Sequence, residues 1–278
     1  MTDSLRLRID RLSALAEFSL RSLGQPYGRT FLRQVALRYP TRLVRALWQY
    51  WAAPGAPQTA ERLLLLHDDG EFIERAASAG ERLLVATGFC QKPFSCPAGR
   101  FNHDCSHLSG LTSHVVTRFP PACADCAIRV LGAAALSAGA SFAILTSASD
   151  VASDILLPAL QERRFTHALL AVCPYSVEPM SLALLSGGIE GCVVGYALGA
   201  CANYGQWLRA DGGDKPERTS LSPQISDRML EALSEVTALR CENGSYTARR
   251  YAQIDNVYRP YANCSANSAK DQVHRPTQ

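Results

Sequence analysis

Four short runs constrain the fold of this chain more than any other feature: RLLVATG (82–88), SFAILTS (141–147), HALLAVC (167–173) and GCVVGYA (191–197). Each is apolar over most of its length, without the alternation expected of a strand that has one wet face. Such runs suit strands covered on both faces. Helix-length segments separate them at about 124–138, 149–163 and 176–187, with Asp150 and Asp154 favouring the first turn of the second. The alternation predicts an α/β fold: a parallel four-strand Rossmann-like sheet with right-handed crossovers and flanking helices.

Upstream the texture is helical. Residues 4–23 place Leu5, Ile9, Leu12, Ala16, Leu20 and Leu23 at helical spacing, and residues 28–52 form a second helix broken at Pro40. After the turn Pro54-Gly55-Ala56-Pro57, a third helix is expected over 58–80, from Thr59 to Gly80. Beyond the sheet, a helix at about 223–240 carries Ile225, Met229, Leu233, Val236 and Leu239. The chain therefore reads as an α-helical N-terminal region (1–80), a cysteine-rich α/β metal-binding domain (81–240) and a C-terminal extension (241–278), partly disordered at its polar end.

A net charge of +3 over 278 residues gives no reason to expect wholesale nucleic-acid binding. Residues 1–51 are locally basic, with nine arginines against three acids. Arginines solvating outer helix faces explain this most simply, with an acidic partner, a membrane surface or RNA as the sharper alternatives. No stretch of eighteen uncharged apolar residues exists, so no transmembrane segment is expected. The charged N-terminus is no secretory signal, which makes the cytoplasm the expected compartment. Ten cysteines in a reducing compartment argue for metal or catalysis rather than disulfides.

The cysteines are not scattered at random. Cys90-Gln-Lys-Pro-Phe-Ser-Cys96-Pro is followed by His103-Asp-Cys105-Ser-His107 and by Cys123-Ala-Asp-Cys126. Two residues between Cys123 and Cys126 let both sulfurs reach one metal, and the pair opens a helix, where unpaired N–H groups favour thiolates. Cys90, Cys173 and Cys201 follow the first, third and fourth strands. A parallel sheet gathers those ends along its carboxyl edge, where such folds bind ligands. Seven metal-ligand candidates result: Cys90, Cys96, Cys105, Cys123, Cys126, Cys173 and Cys201. Their loose spacing favours one or two iron–sulfur clusters of the 4Fe–4S type, because a cubane spreads its ligands; zinc is the alternative. Four thiolates would saturate one cluster and three would leave a second with an open iron. One four-cysteine cluster with three incidental thiols is the simpler count.

These residues resemble an uncharacterised cysteine-rich family catalogued as a domain of unknown function (number 116). The matching positions are Cys90 after LLVATGF, Cys96-Pro97-Ala98, Cys123-Ala-Asp-Cys126 and Ala171-Val172-Cys173, then either Gly191-Cys192-Val193 or Gly199-Ala200-Cys201. The resemblance covers about residues 82–205 and implies metal binding on an α/β core, without supplying a reaction. The family often carries a third cysteine three places before the close pair, where this chain has Pro120; Cys105 would take that role.

Substrate contacts are sought around the same edge, in Lys92, Arg100, His103, His107, Ser147 and Glu178. Arg118 and His114 also flank the cysteine loop. Glu178 has a plainer reading as a first-turn acid. Cys192 reads as a small core residue, and Cys241 and Cys264 as bystanders. Gly187-Gly188 and Gly212-Gly213 lack phosphate-loop spacing, and no HExxH or Ser–His–Asp order occurs. The leading expectation is an iron–sulfur enzyme, an oxidoreductase or sulfurtransferase acting on a small molecule. The alternatives are a non-enzymatic electron- or cluster-transfer protein docking a redox partner, and a zinc-stabilised binding module using Trp48, Tyr50 and Trp51. Those aromatics otherwise anchor the helical region to the core.

Overall fold

The computed structural model describes residues 3–52, 63–65, 69–113, 120–244 and 250–261. Three helices lead: α1 (Asp3–Ser22), α2 (Pro26–Phe31), which runs on as a turn of π-helix over Leu32–Ala36, and α3 (Pro40–Ala52). The break expected at Pro40 is present. Proline opens α3, where its missing N–H leaves no hydrogen bond unmade. The helix expected over 58–80 is a correction: strand β1 (Leu63–Leu65) and helix α4 (Asp69–Ala79) occupy its described part. The leucine backbone pairs antiparallel with residues 192–194, a tertiary contact that overrides local periodicity. Thr59 and Arg118, with His114 and Cys264, lie outside the described residues.

The alternating core follows as β2 (Leu83–Gly88), α5 (Ser106–Ser113), α6 (Ala127–Ser137), β3 (Ser141–Leu145), α7 (Ala148–Val151), a π-helical turn, α8 (Leu157–Glu162), β4 (His167–Val172), α9 (Val177–Gly187) and β5 (Glu190–Gly195). Then come α10 (Tyr204–Asp211), α11 (Pro223–Glu242) and the hairpin β6 (Arg250–Ile254) and β7 (Val257–Tyr261). The expected four-strand parallel sheet is corrected to a mixed sheet of seven strands, in the order β1-β5-β4-β2-β3-β7-β6. The four apolar runs form its parallel centre. Antiparallel strands extend both sides, β1 on β5 and β7 on β3. The hairpin is the second part of the correction. Its two-residue turn places Asp255 and Asn256 at φ of 49° and 63°, a conformation these residues tolerate and one that matches strand twist.

Both faces of the parallel centre are covered, which is why its strands carry no polar alternation. Leu83, Val85, Phe142 and Leu169 pack under α6 and α11, alongside Leu131 and Leu233. Leu84, Ala86, Leu170 and Val193 pack under the α7–α9 layer. The N-terminal helices lie outside α9 and contribute Leu15, Ala46 and Tyr50 to that second core.

A buried ion pair fastens them there. Arg11 Nε lies 3.4 Å from Glu178 Oε2, and the Tyr50 hydroxyl donates to the same oxygen at 2.9 Å. Arg11 also donates to the Tyr50 carbonyl at 3.1 Å, and its guanidinium lies 4.4 Å from the Tyr50 ring centroid. Tyr50 is thus an anchor, while Trp48 is 71% exposed. Burial, reinforced by the Glu178 carboxylate, raises the Tyr50 hydroxyl pKa well above its usual range.

The strand order places one position apart from the rest. From β2 the chain crosses to β3 on one side, then returns to β4 on the other. The ends of β2 and β4 therefore flank the switch point, where a crevice opens in a parallel sheet.

Candidate metal centre

Both strands at the switch point run directly into a cysteine. β2 and β4 pair in register through Thr87 and Ala171, so the turns after them leave the sheet side by side. Cys90 sits in a tight turn at 89–91, and Cys173 precedes another at 174–176. Cys201 arrives from the loop after β5, and its backbone N–H donates to Cys173 Sγ at 3.3 Å. The thiols of Cys90 and Cys173 are in contact, as are those of Cys173 and Cys201. All three are buried.

Their environments differ. Contact with Cys173 pulls the Cys90 pKa down against burial, helped by the Thr219 hydroxyl, which donates to Cys90 Sγ at 3.0 Å. For Cys173, contact with Cys201 lowers the pKa, but contact with Cys90 and burial outweigh it, and the thiol is pushed up to about 11. Cys201 is raised by its contact with Cys173 and by burial. Lys215, with only 4% of its side chain exposed, supplies positive charge to Cys201 and Cys173 while paired with Glu217 at 3.1 Å.

The remaining four candidates form a second group. The thiols of Cys105 and Cys123 are both pushed up, chiefly by burial, with Cys126 and Cys96 as neighbouring thiols in each case; the N–H groups of Leu108 and His107 oppose the shift at Cys105. Cys126 caps the start of α6, and Arg129 one turn on donates to the carbonyls of Cys123 and Ala124, both at 2.7 Å. Tyr258 of β7 accepts the Cys105 N–H at 2.8 Å. The C-terminal hairpin therefore positions one of these cysteines.

Lys92 organises the loop that carries Cys96 and Cys105. It is buried, and its Nζ donates to Gly99 O, Asn102 O, Asn102 Oδ1 and Asp104 O at 2.5 to 3.1 Å. Burial lowers its pKa, while Cys96, Cys105, Asp104 and Cys126 support its charge. Arg100 stacks on Phe94 and donates to the carbonyls of Lys215, Glu217 and Cys90. Lys92 therefore lies near the thiols of the second group, and Lys215 and Arg100 near those of the first.

Above the first group, at the carboxyl edge, lies a cavity of about 680 Å³. Cys90, Cys173, Cys201, Tyr196 and Lys215, all buried, line it together with Asp211 and with apolar side chains of α1, α2, α3 and α9. Tyr196 braces the floor: its hydroxyl donates to Ala171 O at 2.7 Å and accepts the Gly88 N–H at 2.6 Å. A Cβ at Gly88 would stand 3.0 Å from that hydroxyl and 3.1 Å from Cys90 Sγ, so the absence of a side chain keeps this corner open.

Of the six substrate-contact candidates, Ser147 lines the cavity and also caps α7, accepting from Asp150 N. Lys92, Arg100 and Glu178 are engaged as described above. His103 bonds Ile144 O at 2.9 Å and Thr146 Oγ1 at 3.1 Å, which ties the cysteine loop to the end of β3. His107 is near Arg129, and burial followed by that cation lowers its pKa. Lys215, Asp211, Thr219, Tyr196 and Tyr258 were not among the sequence candidates. None lies in a recognisable motif: Tyr196 directly follows β5, Asp211 ends α10, Lys215 and Thr219 come from the loop after it, and Tyr258 from the hairpin. Cys192 lies within β5 in the core, and Cys241 is exposed on α11.

Among the described residues, no group of three or more His, Cys, Asp or Glu side chains is arranged to hold a single metal ion. The donor set is seven thiols in two groups beside buried cations, which supplies the thiolates and the offsetting charge that an iron–sulfur centre or a zinc ion would use. No helix among the described residues is long and apolar enough to cross a membrane. No protein-family model, curated protein or solved structure matches the chain, so what the site does rests on its own thiols, cations and cavity.

Proposed function

We propose that this chain is an iron–sulfur protein with two unlike sites, and an enzyme acting on a small molecule in the cavity at the carboxyl edge. The observation that carries the reading is the division of the seven thiols into a group of four, away from the cavity, and a group of three on its floor. Cys96, Cys105, Cys123 and Cys126 would hold one 4Fe–4S cluster completely. Cys90, Cys173 and Cys201 would hold a second with one iron free of protein thiolate. Such centres supply one-electron transfer and, at the open iron, a Lewis-acid or sulfur-accepting position.

The chain's own residues fit those duties. Lys92, Arg129 and the buried Lys215 offset thiolate charge without exposing it to water. Thr219 and the Cys201 N–H stabilise sulfur charge at the three-thiol group by donating hydrogen bonds to it. α1, α2, α3 and α9 wall the cavity with apolar side chains and so keep bulk water from its floor. Redox or sulfur-transfer chemistry on a substrate held there is the reaction class this arrangement serves.

Anaerobic purification followed by iron, sulfide and zinc analysis with a visible spectrum tests the reading. A brown protein with about eight irons and matching sulfide per chain is expected. A colourless protein holding stoichiometric zinc would refute it.

A further inference from the structure

The cavity of about 680 Å³ is lined mostly by apolar side chains, with a few polar groups among them. Lys215 and the three thiols are buried and lie beside one another, while Leu12, Leu15, Phe31, Leu43 and Met180 are part of the apolar lining. Leu12, Leu23, Leu32 and Leu47 line the cavity and are also 36–49% exposed, which puts the mouth between α1, α2 and α3. From the mouth inward the lining therefore runs from hydrocarbon to a polar, thiol-bearing floor.

We infer that the cavity binds a long-chain substrate, a single hydrocarbon chain with one compact polar head, and holds that head against the three-thiol floor. The inference rests on the proposed function for what happens to the head; the binding of the chain stands on the cavity alone. A volume of about 680 Å³ is within the range of sites that enclose a whole small molecule. Lys215, buried beside Cys201 and Cys173 and paired with Glu217, gives the head a cation at the thiol floor. Apolar walls give the chain its affinity without directionality, so length rather than branching pattern is what the site reads.

The test is displacement of anilinonaphthalene sulfonate from the anaerobically purified full chain by octanoate, laurate and palmitate and by the matching primary alcohols, with iron measured on the same samples. Laurate is expected to compete about a hundredfold better than octanoate, since each buried methylene adds a constant increment. Ala16→Trp on α1 and Ala183→Trp on α9 are expected to weaken palmitate at least tenfold with iron content unchanged. Displacement independent of chain length, or unaltered in both tryptophan variants, would overturn the inference. Iron-loaded protein that binds no chain removes the long-chain substrate and leaves the metal reading standing. Iron-free protein that binds chains with the same length dependence upholds the cavity and sinks the metal reading.

Discussion

Replacing Glu178 by Gln removes a negative charge from a buried contact that joins three helices. Glu178 and Arg11 are 7% and 8% exposed, so water cannot take over the partner's solvation. The carboxylate oxygen receives Arg11 Nε at 3.4 Å and the Tyr50 hydroxyl at 2.9 Å. Glutamine keeps the shape and one acceptor but takes from the buried guanidinium the counter-charge of Glu178, which costs about 3–5 kcal/mol. For a chain of 278 residues that corresponds to a melting temperature roughly 5–9 °C lower. Circular dichroism melts and urea titrations of metal-loaded protein measure it. Pairing E178Q with Arg11→Met removes both charges and is expected to recover more than half of the loss. A single-variant loss below about 1 kcal/mol, or losses that simply add, would refute the view that this pair fastens α1 and α3 to α9.

Other perturbations probe the site. Lys92→Met strips four carbonyl and amide oxygens of their shared donor, so faster hydrogen exchange over residues 96–105 and lower iron content are expected, with stability down by about 2–4 kcal/mol. Gly88→Ala pushes a methyl group against Tyr196 and Cys90 and should cost about 1–3 kcal/mol in a chemical denaturation series. Burial raises the Asp211 carboxyl pKa, so its charged form is disfavoured in the folded chain once pH exceeds the ordinary value of 3.8. That raised pKa contributes stability that is full below 3.8 and is lost as pH rises through the folded value. Asp211→Asn is therefore expected to gain stability relative to wild type near pH 7, with the gain vanishing as pH falls below 4. Equal effects at both pH values would contradict the shift.

The parallel centre was legible because strands buried on both faces must be apolar throughout, and such runs cannot hide. β1 was not, because three leucines in a row satisfy a helical pattern as readily as an edge strand, and only pairing with residues 192–194 decides between them. The closing hairpin carried its signal in Asp255-Asn256, a turn pair between two apolar-containing runs, but nothing local placed it on β3. Cys90, Cys173 and Cys201 were brought together by topology alone: strand ends of one polarity share an edge. Their separation from Cys96, Cys105, Cys123 and Cys126 was not legible, since it depends on where the Lys92 loop folds. Glu178 shows the opposite case. An acid at a helix start suggested a site, and its burial against Arg11 made it an internal fastening instead.

The most direct test of two unlike centres is iron per chain in two variants, Cys173→Ala and Cys123→Ala, purified anaerobically beside the wild type. The account predicts that each variant loses about half of the iron and keeps the spectrum of the other centre, and that only the cavity-facing centre, missing in Cys173→Ala, changes its spectrum when a ligand is added. Both variants losing all iron together, or neither losing any, would contradict the division of these thiols into two sites.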